Sequence, residues 1–143
     1  MIGDGALHHA LEQEICKLNL EDKVKLLGTK PQPEVPTYMQ QADIFILPSV
    51  YDGWGAVVNE ALQAGCYVIC SDAAGASDLL LQDERLGKVF RRGNVAQLAD
   101  CMRWCNEHIK VIRKDRSLRI QWADEHISGK AVARYMIDCL EKT

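Results

Sequence analysis

Between Asp43 and Ser71 the chain reads DIFILPSVYDGWGAVVNEALQAGCYVICS, an order of patterns that few folds accommodate. Ile44 to Leu47 is a short, wholly apolar run, as in a strand buried on both faces of a parallel sheet. Pro48 ends it, and a loop containing Gly53 and Gly55 follows. From about Gly55 the spacing becomes helical, with Val57, Val58, Ala61 and Leu62 three and four apart and Gly65 placed to cap the carboxyl end. Cys66 to Cys70 then form a second apolar strand. A strand–loop–helix–strand unit of this kind puts a ligand at the carboxyl end of its strands.

The loop has chemistry of its own. Trp54, Gly55, Ala56 and Val57 lie where the first helical turn leaves N–H groups without intrahelical partners, and the helix dipole adds positive potential there. Glycine at 53 and 55 lets a ligand approach the backbone. Asp52 stands before the helix and Glu60 in its second turn, roughly 7.5 Å beyond Gly55 at the rise of an α-helix. Carboxylates repel an anion held by amides, so they suit hydroxyl groups on either side of it. A diphosphate between a sugar and a ribose meets that description. The plainer alternative is an ordinary Asp52-Gly53 turn, Asp52 as a helix cap and Glu60 as a solvated side chain.

PSVYDGWGAVVNEALQAGCYVICSDAAGASDLL resembles the donor-binding core of the retaining nucleotide-sugar glycosyltransferases with the GT-B fold, of the group 1 (family 4) type. That family carries two acids separated by seven residues within a Pro-Ser, Glu-Gly-Phe-Gly, Glu-Ala, Gly, Pro-Val pattern. Here Asp52 and Glu60 fill the acidic positions, with Gly53, Trp54 and Gly55 after the first and Ala61 after the second. Ile2 to Gly5, Val24 to Gly28, Ala42-Asp43 and Gly87 to Phe90 extend the likeness over about residues 2 to 105. Three positions depart from the pattern: Asp52 is one methylene short of the usual Glu, Cys66-Tyr67-Val68 replaces Xaa-Pro-Val, and Asp78 stands where Glu is common. The resemblance implies that Asp52 binds the donor sugar and that Trp54 to Val57 amides hold sugar and phosphate. It implies that Glu60 binds the ribose, and that backbone groups of Leu27, Gly28, Thr29 and Lys30 meet the nucleobase. Lys30 is the nearby cation for a phosphate, or else a solvated loop lysine. UDP-, GDP- or ADP-sugar is the implied donor, with no cofactor and no metal; no Asp-x-Asp motif occurs in the chain.

The remaining sequence predicts an α/β fold, a mostly parallel Rossmann-like sheet with flanking helices. Ile2 to Gly5 reads as the tail of a strand followed by a turn, and it leads to a helix with Leu7, Leu11, Ile15 and Leu18 on one face and His8-His9 solvated at its start. Val24 to Leu27 is a short strand, and Pro33 and Pro36 open a helix with Val35, Tyr38, Met39 and Ala42 inward. Asp72 to Ser77 is a small, flexible link, suited to face a ligand or simply to connect strand to helix. Gly87 to Phe90 is a last strand, and Asn94 caps a helix that buries Leu98, Met102 and Cys105. Two more helical stretches follow within residues 110–143, the second carrying Val132, Tyr135, Met136, Cys139 and Leu140 on one stripe. Lys110, Arg113, Lys114, Arg116 and Arg119 make a basic run, read as a solvated face or, less directly, as a peripheral contact with an anionic membrane.

Composition excludes several classes. A length of 143 residues with 48% hydrophobic and 26% charged residues suits one soluble globular domain. A net charge of -3 gives no reason to expect nucleic acid. No apolar run is long enough to span a membrane, and no signal peptide is evident, so a cytoplasmic location is expected. Six cysteines at uneven spacing inside apolar segments read as reduced thiols. Cys101, Cys105 and His108 share a helical face but lack a fourth ligand for a structural zinc, and Cys101 and Cys105 read as buried small hydrophobes.

The resembled family's donor domain opens with a strand, a Gly-rich turn and an Arg/Lys pair, none of which is present. The chain is therefore expected to be a single incomplete donor-binding domain over residues 1–143, without its first strand and inactive alone. It would be completed by an N-terminal acceptor domain or a second copy of itself. The implied activity is retaining sugar transfer to an acceptor hydroxyl in polysaccharide or glycoconjugate synthesis. The alternatives are another GT-B enzyme, such as a sugar-nucleotide epimerase, or a non-catalytic Rossmann-like binding module.

Overall fold

The computed structural model describes residues 1–141, and the chain divides between Val35 and Pro36 into two compact units, Met1–Val35 and the unit from Pro36 onward, denoted Pro36–Thr143. In the first, helix α1 (His8–Lys17) sits between two extended segments. The Met1 ammonium donates to the Lys25 carbonyl (2.5 Å), Leu27 N–H to Met1 O and Gly3 N–H to Gly28 O (both 2.9 Å). These bonds run alongside the predicted strands at Ile2 and Val24 to Leu27, yet neither segment becomes a regular strand, because each has one short ladder and no second neighbour within the unit. The apolar face of α1 is uncovered: Leu7, Leu11 and Leu18 are exposed, since no other element of this unit covers them. His8 is less solvated than expected, lying between Asp4 and Glu12 at 3.2 and 3.3 Å.

The second unit is built on a three-stranded parallel sheet in the order β1-β2-β3, with β1 (Ile44–Leu47), β2 (Tyr67–Ser71) and β3 (Gly87–Phe90). Only β2 has a neighbour on each side, and it is buried throughout. β1 lies at an edge and is half-buried, where the apolar run predicted burial on both faces. β2 begins one residue later than its apolar pattern suggests, with Ile44 pairing Tyr67 and Leu47 pairing Cys70.

Eight helices are described in all. α2 (Val35–Gln41) buries Met39, and α3 (Ala56–Gln63) turns Val58, Ala61 and Leu62 into the core. Gly65 ends α3 as predicted: at φ +82° it donates to Leu62 O while Cys66 N–H reaches Ala61 O (both 2.9 Å), the paired bonds of a left-handed cap. α4 (Ser77–Leu80) is one turn long. α5 (Val95–Glu107) is capped by Asn94, whose Oδ1 accepts from Gln97 N–H at 3.0 Å. Along α5 the predicted inward residues Leu98 and Cys105 pack into the core with Cys101, whereas Met102, also predicted inward, is 48% exposed. Cys101 and Cys105 thus act as small hydrophobes, and burial pushes the Cys105 thiol up to about 11.

Three helices, not two, follow: α6 (Ile109–Lys114), α7 (Arg116–His126) and α8 (Gly129–Glu141). The predicted stripe of α8 remains at the surface, with Val132, Tyr135, Met136 and Leu140 all exposed. Residues 142 and 143, at the end of the predicted C-terminal helices, lie outside those described.

The basic run departs most from its sequence reading. Arg119 is only 1% exposed, and Arg113 and Arg116 bind other parts of the unit. Their partners are mostly backbone carbonyls, which the residue types along the run do not announce. Among the described residues no helix is long and apolar enough to cross a membrane.

Candidate functional site

The carboxyl ends of β1 and β2 open into two loops, residues 48–55 and 72–76, that are laced to each other. Ser71 Oγ donates to Ser49 O (2.6 Å), Asp52 N–H to Ala73 O (3.2 Å) and Ala76 N–H to Trp54 O (2.7 Å). A single parallel β-bridge joins Asp52 and Ala74. The Trp54 ring lies 3.2 Å from where a Cβ on Gly75 would sit, so the small residues of the second loop make room for the first. The Asp72–Ser77 link is therefore a buttress that positions the first loop. Its Ala-Ala-Gly-Ala composition was the available signal.

The start of α3 lacks a side-chain cap. Its N-cap is Gly55, at φ +83° and ψ 53°, where a Cβ would also meet Ala74 Cβ at 3.1 Å and Leu47 Cδ2 at 3.4 Å. Glycine is doubly required there, by backbone conformation and by space. Because Gly55 holds the capping position, Asp52 does not cap the helix, contrary to the plainer sequence alternative. Val58 N–H bonds Gly55 O (2.8 Å) and closes the first turn. The amides of Trp54, Gly55, Ala56 and Val57 have no protein acceptor among the described residues. Four donors without acceptors thus lie in sequence at the positive end of α3.

The two acids flank this point in the chain. Asp52 and Glu60 are both half-buried, and among the described residues neither carboxylate accepts a hydrogen bond or joins an ion pair. Burial first, then the Asp52 charge, pushes the Cys70 thiol at the end of β2 up to about 11. Asp52 is thereby felt at the carboxyl end of the central strand. Tyr51 is 85% and Trp54 50% exposed, so the loop presents aromatic surface on both sides of Asp52. Among the described residues nothing lies within 4 Å of where a Cβ on Gly53 would sit.

Leu27, Gly28, Thr29 and Lys30 belong to the Met1–Val35 unit. Gly28 adopts φ +64° with open space where a Cβ would lie, Leu27 and Thr29 are exposed, and Lys30 is half-buried. The second unit by itself brings together Asp52, Gly53, Trp54, Gly55, Ala56, Val57 and Glu60 on one loop and the helix it feeds.

The family described as "Glycosyl transferases group 1" matches residues 1–112. A curated relative, the amylovoran biosynthesis glycosyltransferase AmsK of Erwinia amylovora, is 38% identical over 86 residues, which is 56% of this chain and 21% of that protein. The 2-deoxystreptamine glucosyltransferase of Streptomyces kanamyceticus is 30% identical over 145 residues, covering 94% of this chain and 36% of the relative. The chain thus spans about a fifth to a third of these relatives' length. Among solved structures, Anabaena Alr3699/HepE in complex with UDP superposes with a TM-score of 0.78 at 24% identity, over 99% of this chain and 40% of that one. Sucrose-phosphate synthase from Thermosynechococcus elongatus gives 0.76 at 22% identity, over 96% and 34%. These likenesses identify the fold as a Rossmann-like α/β portion of a GT-B architecture.

Proposed function

The chain belongs to the group 1 glycosyl transferases, and on that premise we propose that it is the donor-binding half of a retaining, family 4 type enzyme. That enzyme moves a sugar from a nucleotide diphosphate to an acceptor hydroxyl. One observation carries the reading: among the described residues, four backbone donors at the start of α3 have no protein acceptor, and the carboxylates before and after them in the chain are engaged by no protein group. Unpaired amides at a helix start favour an anion, and unengaged carboxylates favour hydroxyl donors. A sugar diphosphate offers both. UDP in the HepE complex makes a uridine diphosphate the first donor to test, with GDP and ADP as the alternatives.

In this reading the Trp54 to Val57 amides take up the negative charge that develops on the departing diphosphate, the role of a preorganised oxyanion site. Asp52 accepts hydrogen bonds from the donor sugar and stabilises the positive charge growing at its anomeric carbon. Glu60 holds the ribose hydroxyls. The leaving phosphate takes the acceptor's proton as the new bond forms on the same face. Leu27 to Lys30 are assigned to the nucleobase and phosphate on the resemblance alone, and Lys30→Ala tests that assignment separately. An acceptor-binding half supplies the rest of the site, and a role in polysaccharide or glycoconjugate synthesis fits relatives such as AmsK.

Calorimetric titration of the chain with UDP, GDP and ADP tests the reading. Saturable binding of one nucleotide that weakens at least tenfold with Glu60→Ala supports it; failure of all three to bind contradicts it.

A further inference from the structure

The amino end of the sheet is held by two arginines of α7. Arg116 Nη1 donates to Ala42 O (3.0 Å), and Nη2 to Gln40 O (2.5 Å) and Ala64 O (2.7 Å). Arg119 Nε donates to Gly65 O (3.0 Å), Nη1 to Arg85 O (3.3 Å) and Nη2 to Ile112 O. Ala42 precedes β1, Gly65 precedes β2 and Arg85 precedes β3. Two planar forks therefore gather the chain where it approaches each of the three strands, and also the last carbonyls of α3. The fit is close: a Cβ on Gly65 would lie 2.7 Å from Arg116 Cγ.

We propose that Arg116 and Arg119 are positioning residues for the anion site at the opposite end of α3, an inference that rests on the function proposed above. α3 has eight residues and is about 12 Å long. Its amino end has no capping side chain, and its flank meets the sheet through Val58, Ala61 and Leu62. Apolar burial is non-directional and tolerates sliding along the helix axis. Hydrogen bonds from a rigid guanidinium do not. The Ala64 and Gly65 bonds thus fix how far α3 projects toward its amino end, and their positive charge complements the dipole at its carboxyl end. Because Arg116 also grips Ala42, the same side chain ties α3, which carries Glu60, to the strand that leads to Asp52. The spacing of the two acids is set from behind the sheet.

The test compares UDP affinity at 25 °C for the wild-type chain, Arg116→Lys, Arg119→Lys and Leu98→Ala. Leu98→Ala removes an apolar contact on α5 and serves as the control for general destabilisation. Lysine keeps the charge but loses the fork. The expected result is at least a tenfold weaker Kd in each lysine variant, with shifted Ala56 and Val57 amide resonances in the free chain. Leu98→Ala, at a comparable loss of Tm, should bind within twofold of wild type. Arg116 is the more accessible of the pair, so Arg116→Lys carries the test if Arg119→Lys does not fold. Lysine variants that bind like wild type, or a control that loses as much affinity, overturn the proposal. A wild-type chain that binds none of UDP, GDP or ADP overturns the parent reading, and the positioning role with it.

Discussion

The two ends of the sheet in the Pro36–Thr143 unit treat hydrogen bonding in opposite ways. At the amino end, carbonyls from Gln40, Ala42, Ala64, Gly65, Arg85 and Ile112 are answered by two guanidiniums, one of them buried. At the carboxyl end and along the helix that starts there, four amides and the carboxylates of Asp52 and Glu60 have no protein partner among the described residues. Burying a polar group without a partner costs about 1–3 kcal/mol, so the first arrangement is what stability demands. The second is tolerable only where water or a ligand reaches the groups. The contrast separates the end that holds the unit together from the end proposed above to bind the donor.

The largest expected effect is at the holding end. Arg119→Met leaves the carbonyls of Gly65, Arg85 and Ile112 without their donor and should cost about 4 kcal/mol in urea unfolding, more than a typical core substitution. A loss below about 1 kcal/mol would dissolve the contrast. At the other end, Asp52→Asn should leave Tm unchanged and lower transfer by a competent full-length enzyme about 100-fold, the scale of removing one electrostatic contact to the transition state. A variant with wild-type turnover refutes the assignment of Asp52. Gly55→Ala should straddle the two classes. It forces a side chain into a left-handed conformation and against Ala74, so about 1–3 kcal/mol of stability and the nucleotide affinity should fall together. The smallest effect belongs to an ordinary cap: Asn94→Ala should cost about 1 kcal/mol with no change in affinity.

What was legible in the sequence follows from where each signal resides. β1, α3, the Gly65 cap, β3 and the Asn94 cap are local, written in runs of neighbouring residues, and they emerge where the pattern puts them. The uncapped start of α3 was equally local, since Gly-Trp-Gly precedes the apolar helix face. The arginine clamp was not legible, because Arg119 binds backbone carbonyls 7 to 54 positions away and nothing in their residue types marks them. Arg113 and Asp43, bonded at 3.0 and 2.9 Å, are likewise 70 positions apart. The lacing of the two loops was half-legible: small residues announced a close approach without naming what approached. The apolar stripes of α1 and α8 show the converse, a clear helical pattern that predicts the element correctly and says nothing of what covers it.

The central claim is that the bare amides at the start of α3 hold the phosphates of a nucleotide. Titrating UDP into isotopically labelled chain while following its backbone amide resonances tests this most directly. The account predicts saturable shifts largest at Trp54, Gly55, Ala56 and Val57, with the Asp72 to Ala76 buttress following them. Saturable shifts centred anywhere else in the chain, or none at these four amides at millimolar UDP, contradict it.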